Sequence, residues 1–334
     1  MKSSRPVVVV TGAGAGAGRA IAARFGRERW CVALLSRDPQ RLQAACAEIE
    51  GAGGQALAIP TDMADPAAVF AARDRVVAEW GGIDAWVNCA MATVVGPFAD
   101  ISPADFKRVV DVTLLGYVYG TQAALEAMRP RDRGAIVQIG SALAYRAIPL
   151  QSAYCSCKFA IRGFTDSLRS ELLHAGSHIT LSMLQMPGMN TMQFDWARNL
   201  FDHKYQPVGA VFDPDVAAEA TWRAVHEAPR EFWVGSSAIE AIVGEMVCPP
   251  ALDRLVARSG YQQQISKVPE RAGRPDNLYE PVKADVGARG RFSDRARPRA
   301  FILNASHARL AAGAAVLLSF AATAAAGFLA GRRR

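Results

Sequence analysis

The chain has 334 residues, half of them apolar, so it can bury a substantial core as one large α/β domain with attachments or as two smaller domains. Its formal charge of +7 would suit a nucleic-acid partner, but from Arg289 onward nine arginines face one acid, Asp294, a local net of +8. Taking +8 from +7 leaves −1 for residues 1–288, so the basicity belongs to the tail. An arginine tail could bind nucleic acid, but the apolar span adjoining it makes lipid the better partner, and no nucleic-acid partner is expected. Six cysteines (31, 46, 89, 155, 157 and 248) show no even framework and no CxxC spacing, which points to reduced thiols in a cytosol-like compartment. The N-terminal "MKSSRPVVVVTGAG" lacks the layout of a signal peptide.

Short β-branched runs alternate with longer helical patterns. "PVVVVT" (6–11) reads as a buried strand followed by a helix to about residue 29. "CVALLS" (31–36) is the second strand, with a helix through residue 49; "QALAIP" (55–60) is the third, followed by a helix over 65–80; "IDAWVN" (83–88) is the fourth. A long helix over 103–129 precedes "GAIVQIG" (134–140), a helix over 152–174 precedes "HITLSML" (178–184), and a helix over 214–228 precedes "EFWVG" (231–235). This alternation predicts a doubly wound, parallel, seven-stranded Rossmann sheet. Further helix is expected over 238–258.

Residues 1–260 form the predicted catalytic domain. The Pro-, Gly- and Arg-rich stretch 261–305 reads as a linker or loosely held extension. Residues 306–334 read as an apolar C-terminal helix. Leu310–Ala330 is 21 residues without a charge, between Arg309 and Arg332–Arg334. About 20 apolar residues match the hydrocarbon thickness of a bilayer, and flanking arginines reach the headgroups. A buried Ala-rich helix is the alternative, but a helix apolar on every side would need burial all round. A membrane anchor is therefore expected, with the body on the cytosolic side, since six arginines precede the span and three follow it. Gly327 and Gly331 add a weak GxxxG pointer to helix contact.

"TGAGAGAG" follows the first strand and opens a helix, with Gly12, Gly16 and Gly18 at TGxxxGxG spacing. Glycines let the backbone approach a pyrophosphate, which the amides and positive end of the helix then hold, so a dinucleotide is expected. At the end of the second strand an acid would bind the adenosine ribose diol. Here Ser36 stands in its place and Arg37 follows; a guanidinium pairs with phosphate through two hydrogen bonds, favouring NADP(H) over NAD(H). Asp38 as a ribose ligand is the alternative.

In "YCSCK" (154–158) two pairs compete for attention. Cys155 and Cys157 are not a helical turn apart and have no histidine pair beside them, since the five histidines are scattered, so no metal site is expected. Tyr154 and Lys158 are four apart and share one helix face.

Taken in order, TGAGAGAG, Asp62, Asn88, Ser141, the Tyr154–Lys158 pair and "PGMNT" (187–191) resemble the short-chain dehydrogenase/reductase family over about residues 6–235. The resemblance implies interconversion of a carbonyl and an alcohol. Tyr154 would donate or accept the proton, Ser141 would polarise the substrate oxygen, and Lys158 would bind the nicotinamide ribose. The Lys158 charge, with the oxidised nicotinamide, would pull the tyrosine pKa down from near 10. It further implies that Asp62, with Met63, meets the adenine, that Asn88 braces the sheet at the cofactor edge, and that Pro187, Gly188 and Thr191 contact the carboxamide. Homo-oligomers are common in the family.

Two departures stand out. The family's NNAG is "NCAM" here, and Thr113 occupies the place of the asparagine that braces a water in the proton relay. These feed a second reading, a weakly catalytic or non-catalytic NADP(H)-binding sensor. The aromatic stretch after Thr191, with Phe194, Trp196, Phe201 and Tyr205, would cover the substrate and suit a lipophilic one.

Overall fold

The computed structural model describes residues 4–284 and 286–311. Val7–Thr11 (β1), Cys31–Ser36 (β2), Gln55–Pro60 (β3), Ala85–Asn88 (β4), Gly134–Ile139 (β5), Ile179–Gln185 (β6) and Glu231–Val234 (β7) lie parallel, in the order β7-β6-β5-β4-β1-β2-β3. The run of four valines makes β1 apolar on both faces, as a strand covered by helices on each side must be. Val8 and Val10 face a cluster with Ile21, Phe25, Leu42, Ala217 and Ala220. Val7 and Val9 face the opposite cluster, with Val69, Val76, Trp86, Leu125 and Met128. The two-residue period of a strand thus feeds two cores from one sequence run.

Gly16–Arg27 (α1), Pro39–Gly51 (α2), Pro66–Trp80 (α3), Pro103–Val110 (α4), Gly116–Met128 (α5), Ser152–His174 (α6) and Pro214–Glu227 (α7) supply the covering layers. The expected helix over 103–129 is interrupted by a π-helical turn at Asp111–Leu115 between α4 and α5. β1 pairs with β2 on one side and β4 on the other, so the chain order reverses there. A crevice opens beyond the carboxyl ends of the strands at such a reversal.

Two expectations need correction. The sheet has eight strands, because Ile302–Asn304 (β8) pairs antiparallel with β7 through Phe232 opposite Asn304 and Val234 opposite Ile302. The stretch 261–305 is therefore not a free linker. After Ser236–Val247 (α8) and Pro249–Gln264 (α9), residues Ile265–Pro269 pair with His203–Tyr205, and the following chain returns across the body before β8. Main-chain hydrogen bonds, which composition does not report, hold it there. Of the apolar span 310–330 only Leu310 and Ala311 are described; the expected spanning helix lies outside the described residues, among which no helix is long and apolar enough to cross a membrane.

Candidate active site

The turn from β1 to α1 needs glycine for steric reasons. Gly12 has φ +71° and donates its amide to the Leu35 carbonyl at 2.7 Å, and a β-carbon there would stand 2.9 Å from Ala90 Cα. At Gly18 a β-carbon would lie 2.3 Å from the Gly12 carbonyl oxygen. α2 and α3 are capped by the Asp38 and Asp65 side chains, whereas α1 has Ala15 at its N-cap position, with no side-chain cap and no acid in its first turn. The α1 end thus presents a close-approach, unneutralised positive pole, which fits an anion such as a pyrophosphate.

Ser141 follows β5, and Tyr154 and Lys158 lie one turn apart on α6. The Ser141 hydroxyl accepts from the Leu143 amide at 3.1 Å, and Ser141 and Tyr154 line the same cavity. Lys158 is buried; its Nζ donates to the Ile139 carbonyl at 2.7 Å and to Tyr117 Oη at 3.2 Å, and stands 5.4 Å from the Tyr154 ring centroid.

A cavity of about 600 Å³ runs from the glycine turn to these side chains. Gly12, Gly16, Gly18, Ser36, Arg37, Asp62 and Met63 line one end. Ser141, Tyr154, Lys158, Pro187, Gly188 and Thr191 line the middle.

Asn88 and Thr113 are set back from it. Asn88 is fully buried, accepting from Trp86 Nε1 at 2.9 Å and donating to Gln138 Oε1 at 2.9 Å and Thr121 Oγ1 at 3.1 Å. It ties β4 to β5 and α5, while the neighbouring Cys89, Ala90 and Met91 face the cavity. Thr113, expected among the catalytic groups, does not line the cavity. Its hydroxyl donates to the Ala92 carbonyl and accepts from the Ala92 amide, both at 2.9 Å, so the π-turn pins the loop after β4 and leaves the side chain no reach into the cavity. Cys155 and Cys157 point apart as their spacing requires, toward the Ile148 and Val109 carbonyls, and burial raises both thiols, to about 11 and about 12.

Burial also sets the acid–base character of the centre. It pushes the Tyr154 phenol well above its ordinary value, against the opposing pull of the Ser141 hydroxyl. It lowers the Lys158 ammonium to about 8. In the chain alone, burial opposes the depression expected from Lys158 together with the oxidised nicotinamide. The ammonium expected to lower the phenol donates to the Ile139 carbonyl and to Tyr117 Oη.

Asp38 is committed elsewhere. One oxygen accepts from the Gln40 and Arg41 amides, and the other pairs with Arg41 Nε at 3.1 Å. That leaves Ser36 and Arg37 to face a ribose or its phosphate.

Sequence reasoning missed several lining residues. Arg41, Gln151 and Met186 border the cavity, α9 contributes Leu252, Leu255 and Val256, and the extension contributes Asn277 and Pro281. Arg41 carries a signal, one helical turn beyond Arg37. The others have none, because long-range return of the chain brings them in.

A glycine-built anion cradle, a basic group at the end of β2 and a Ser–Tyr–Lys cluster in one crevice define a nicotinamide-dinucleotide oxidoreductase. The family model described as short chain dehydrogenase matches residues 6–199, and the chain belongs to that family of NAD(P)-dependent oxidoreductases. The oxidoreductase YxnA of Bacillus subtilis, itself uncharacterized, is 28% identical over 82% of this chain and 78% of that protein. SadH of Mycobacterium tuberculosis, named as an oxidoreductase, is 32% identical over 75% of this chain and 94% of that protein. Among solved structures, an alcohol dehydrogenase of the archaeon Thermococcus sibiricus, complexed with 5-hydroxy-NADP, superposes with a TM-score of 0.60 at 23% identity. It covers 69% of this chain and 96% of its own, a likeness of fold.

Proposed function

We propose that the protein reduces a lipophilic carbonyl compound to an alcohol with NADPH, and catalyses the reverse with NADP+. The observation that carries the reading is the convergence of Ser141, Tyr154 and Lys158 on the cavity that begins at the glycine turn. A bound nicotinamide supplies the hydride. Ser141 hydrogen-bonds the substrate oxygen, and Tyr154 passes its phenolic proton to that oxygen as negative charge develops there. Lys158 holds the ribose side of the site. The phenol is the form from which Tyr154 can donate its proton in reduction.

NADP(H) is favoured because Arg37 lines the cavity where an acid would otherwise read a ribose diol, and Asp38 is occupied by its helix cap. The fold neighbour from Thermococcus, crystallised with an NADP derivative, is consistent with this choice. Leu143, Ile148, Met189, Phe194, Leu255 and Val256 give the substrate half an apolar lining, which suits a lipophilic ketone or aldehyde. The uncharged stretch 310–330 supports a further element of the reading: the body is held at a membrane on its cytosolic side, near such substrates. Family likeness supports homo-oligomers.

NADPH consumption over a panel of ketones, with NADH in parallel, tests the proposal. Tyr154→Phe should bind NADPH but lose about 10²- to 10⁴-fold in turnover. The second reading, a cofactor-binding sensor, draws on Thr113 being tied to Ala92 and absent from the cavity. NADPH binding by the parent protein without turnover on any ketone would establish it instead.

A further inference from the structure

The extension does more than border the cavity. Residues 276–284 and 286–292 pass from the end of β2 to the "PGMNT" turn, with Asn277 and Pro281 lining the cavity. Their backbone meets Arg37 and Gly16, which have expected cofactor roles, and Arg108 and Asn190, which adjoin Asp62 and Thr191. Arg37 donates Nη1 to the Tyr279 carbonyl at 2.7 Å and Nη2 to the Asn277 carbonyl at 2.5 Å. Arg108 donates Nε to the Leu278 carbonyl at 3.0 Å and Nη2 to Asp62 Oδ2 at 2.6 Å, while Asp62 Oδ1 accepts from the Ala64 amide. The Gly16 amide, at the start of α1, donates to the Gly287 carbonyl at 3.2 Å. Beyond it the Gly290 amide donates to the Asn190 carbonyl at 3.1 Å, and the Phe292 amide to Asn190 Oδ1 at 2.9 Å.

These contacts are built. The Leu278 side chain is fully buried against Ala92, Val109 and Val112. Asp276 pairs with Arg198 at 2.9 Å, which also pairs with Asp105 at 2.6 Å. Gly290 lies so close that a β-carbon there would stand 2.4 Å from the Thr191 carbonyl oxygen.

We propose that this strap is an intramolecular occupant of the adenosine and pyrophosphate subsites, its carbonyl oxygens standing where phosphate oxygens of NADP(H) would accept, so that the cofactor binds by displacing it. The inference rests on the cofactor reading given above. Neutral carbonyls satisfy the Arg37 and Gly16 donors. A phosphate adds an opposite charge facing the Arg37 guanidinium and turns the neutral Gly16 bond into a charge-assisted one, roughly twice as strong, and so can win the exchange. Arg108 ties Asp62, the expected adenine partner, to the Leu278 carbonyl of the strap. A strap closed in about nine molecules of ten weakens the apparent cofactor affinity about tenfold.

The test uses the full chain and two readouts other than turnover. The first is amide hydrogen exchange of the parent protein with and without NADPH: displacement should speed exchange at Leu278 and Gly290. The second is calorimetric binding of NADPH and of adenosine 2′,5′-bisphosphate to Leu278→Asp and to Asp276→Ala. The milder second variant is read if the first fails to fold. Both ligands should bind about tenfold more tightly to the released strap. Slower strap exchange with NADPH, or equal or weaker binding by the variants, overturns the proposal while leaving the cofactor reading standing. Failure of NADPH and NADH to bind either the parent or the variants overturns the cofactor reading and this inference with it.

Discussion

Lys158 and Tyr117 converge on one acceptor. The Ile139 carbonyl receives the lysine ammonium at 2.7 Å and the tyrosine hydroxyl at 2.9 Å, and the two donors are themselves 3.2 Å apart. All of this is buried, so Tyr117 acts as a positioning residue that fixes where the ammonium can point. Tyr117→Phe should cost about 1 kcal/mol in stability. It also removes an oxygen that accepts from the charged form of Lys158, so the lysine should lose its proton at lower pH. A purely structural role would lower stability alone; a downward move of the alkaline limb of kcat/KM identifies the positioning role.

Lys158 gives the parent protein its own pH signature. Burial lowers the ammonium from 10.5 to about 8, so between those values the unfolded chain holds a proton that the folded chain has released. Stability contributed by this group therefore rises with pH over that window, and below about 8 the buried charge is a penalty. If reduction needs the ammonium, activity falls through the same region. Denaturant midpoints measured from pH 7.5 to 9.5 should climb in the parent relative to Lys158→Met; parallel curves would refute the assignment.

Arg37 is the test of cofactor choice. Its guanidinium is surrounded by carbonyls of the extension and lies near both Asp62 and Arg108. Arg37→Ala should weaken NADPH binding by about ten- to a hundredfold, the worth of a charge-assisted hydrogen bond or two. NADH, which has no 2′-phosphate, should not bind more weakly. Equal losses for both cofactors would remove the basis for preferring NADP(H).

Thr113 separates a structural from a catalytic role. Thr113→Val leaves the Ala92 amide and carbonyl without their hydroxyl partner, which should cost about 2 kcal/mol or more in stability. Turnover per folded molecule at low temperature should hold within a few-fold. A hundredfold loss of kcat with an unchanged melting temperature would return Thr113 to the proton path.

Much of the fold was legible because burial leaves a mark on sequence. The bounds of "CVALLS" and "QALAIP" coincide with β2 and β3, since apolar strands flanked by polar turns leave little room for a shift. Ser141, Tyr154 and Lys158 were legible because their spacing matches one strand end and one helical turn, and the structure brings them to a single cavity.

What was not legible depends on main-chain geometry. β8 has three residues, too few for a periodic signal, and is recruited by the open edge of β7. The strap reads as linker because Pro, Gly and Arg dominate it, yet the Asn277, Leu278 and Tyr279 carbonyls that anchor it belong to any sequence. The departure at Thr113 is visible in the sequence, but the π-turn that ties its hydroxyl to Ala92 leaves no signal in the residues 111–115.

Glu231, on β7 and almost wholly enclosed, accepts from Tyr145, Gln185 and Arg309. Arg309 stands two residues before the last described position, and β8 is stitched to the same strand. A pull on the chain beyond that point would be borne by the sheet itself, as a guy-rope loads a mast, and could not simply unreel a slack tether. The orientation of the whole molecule would then follow whatever its tail is fastened to.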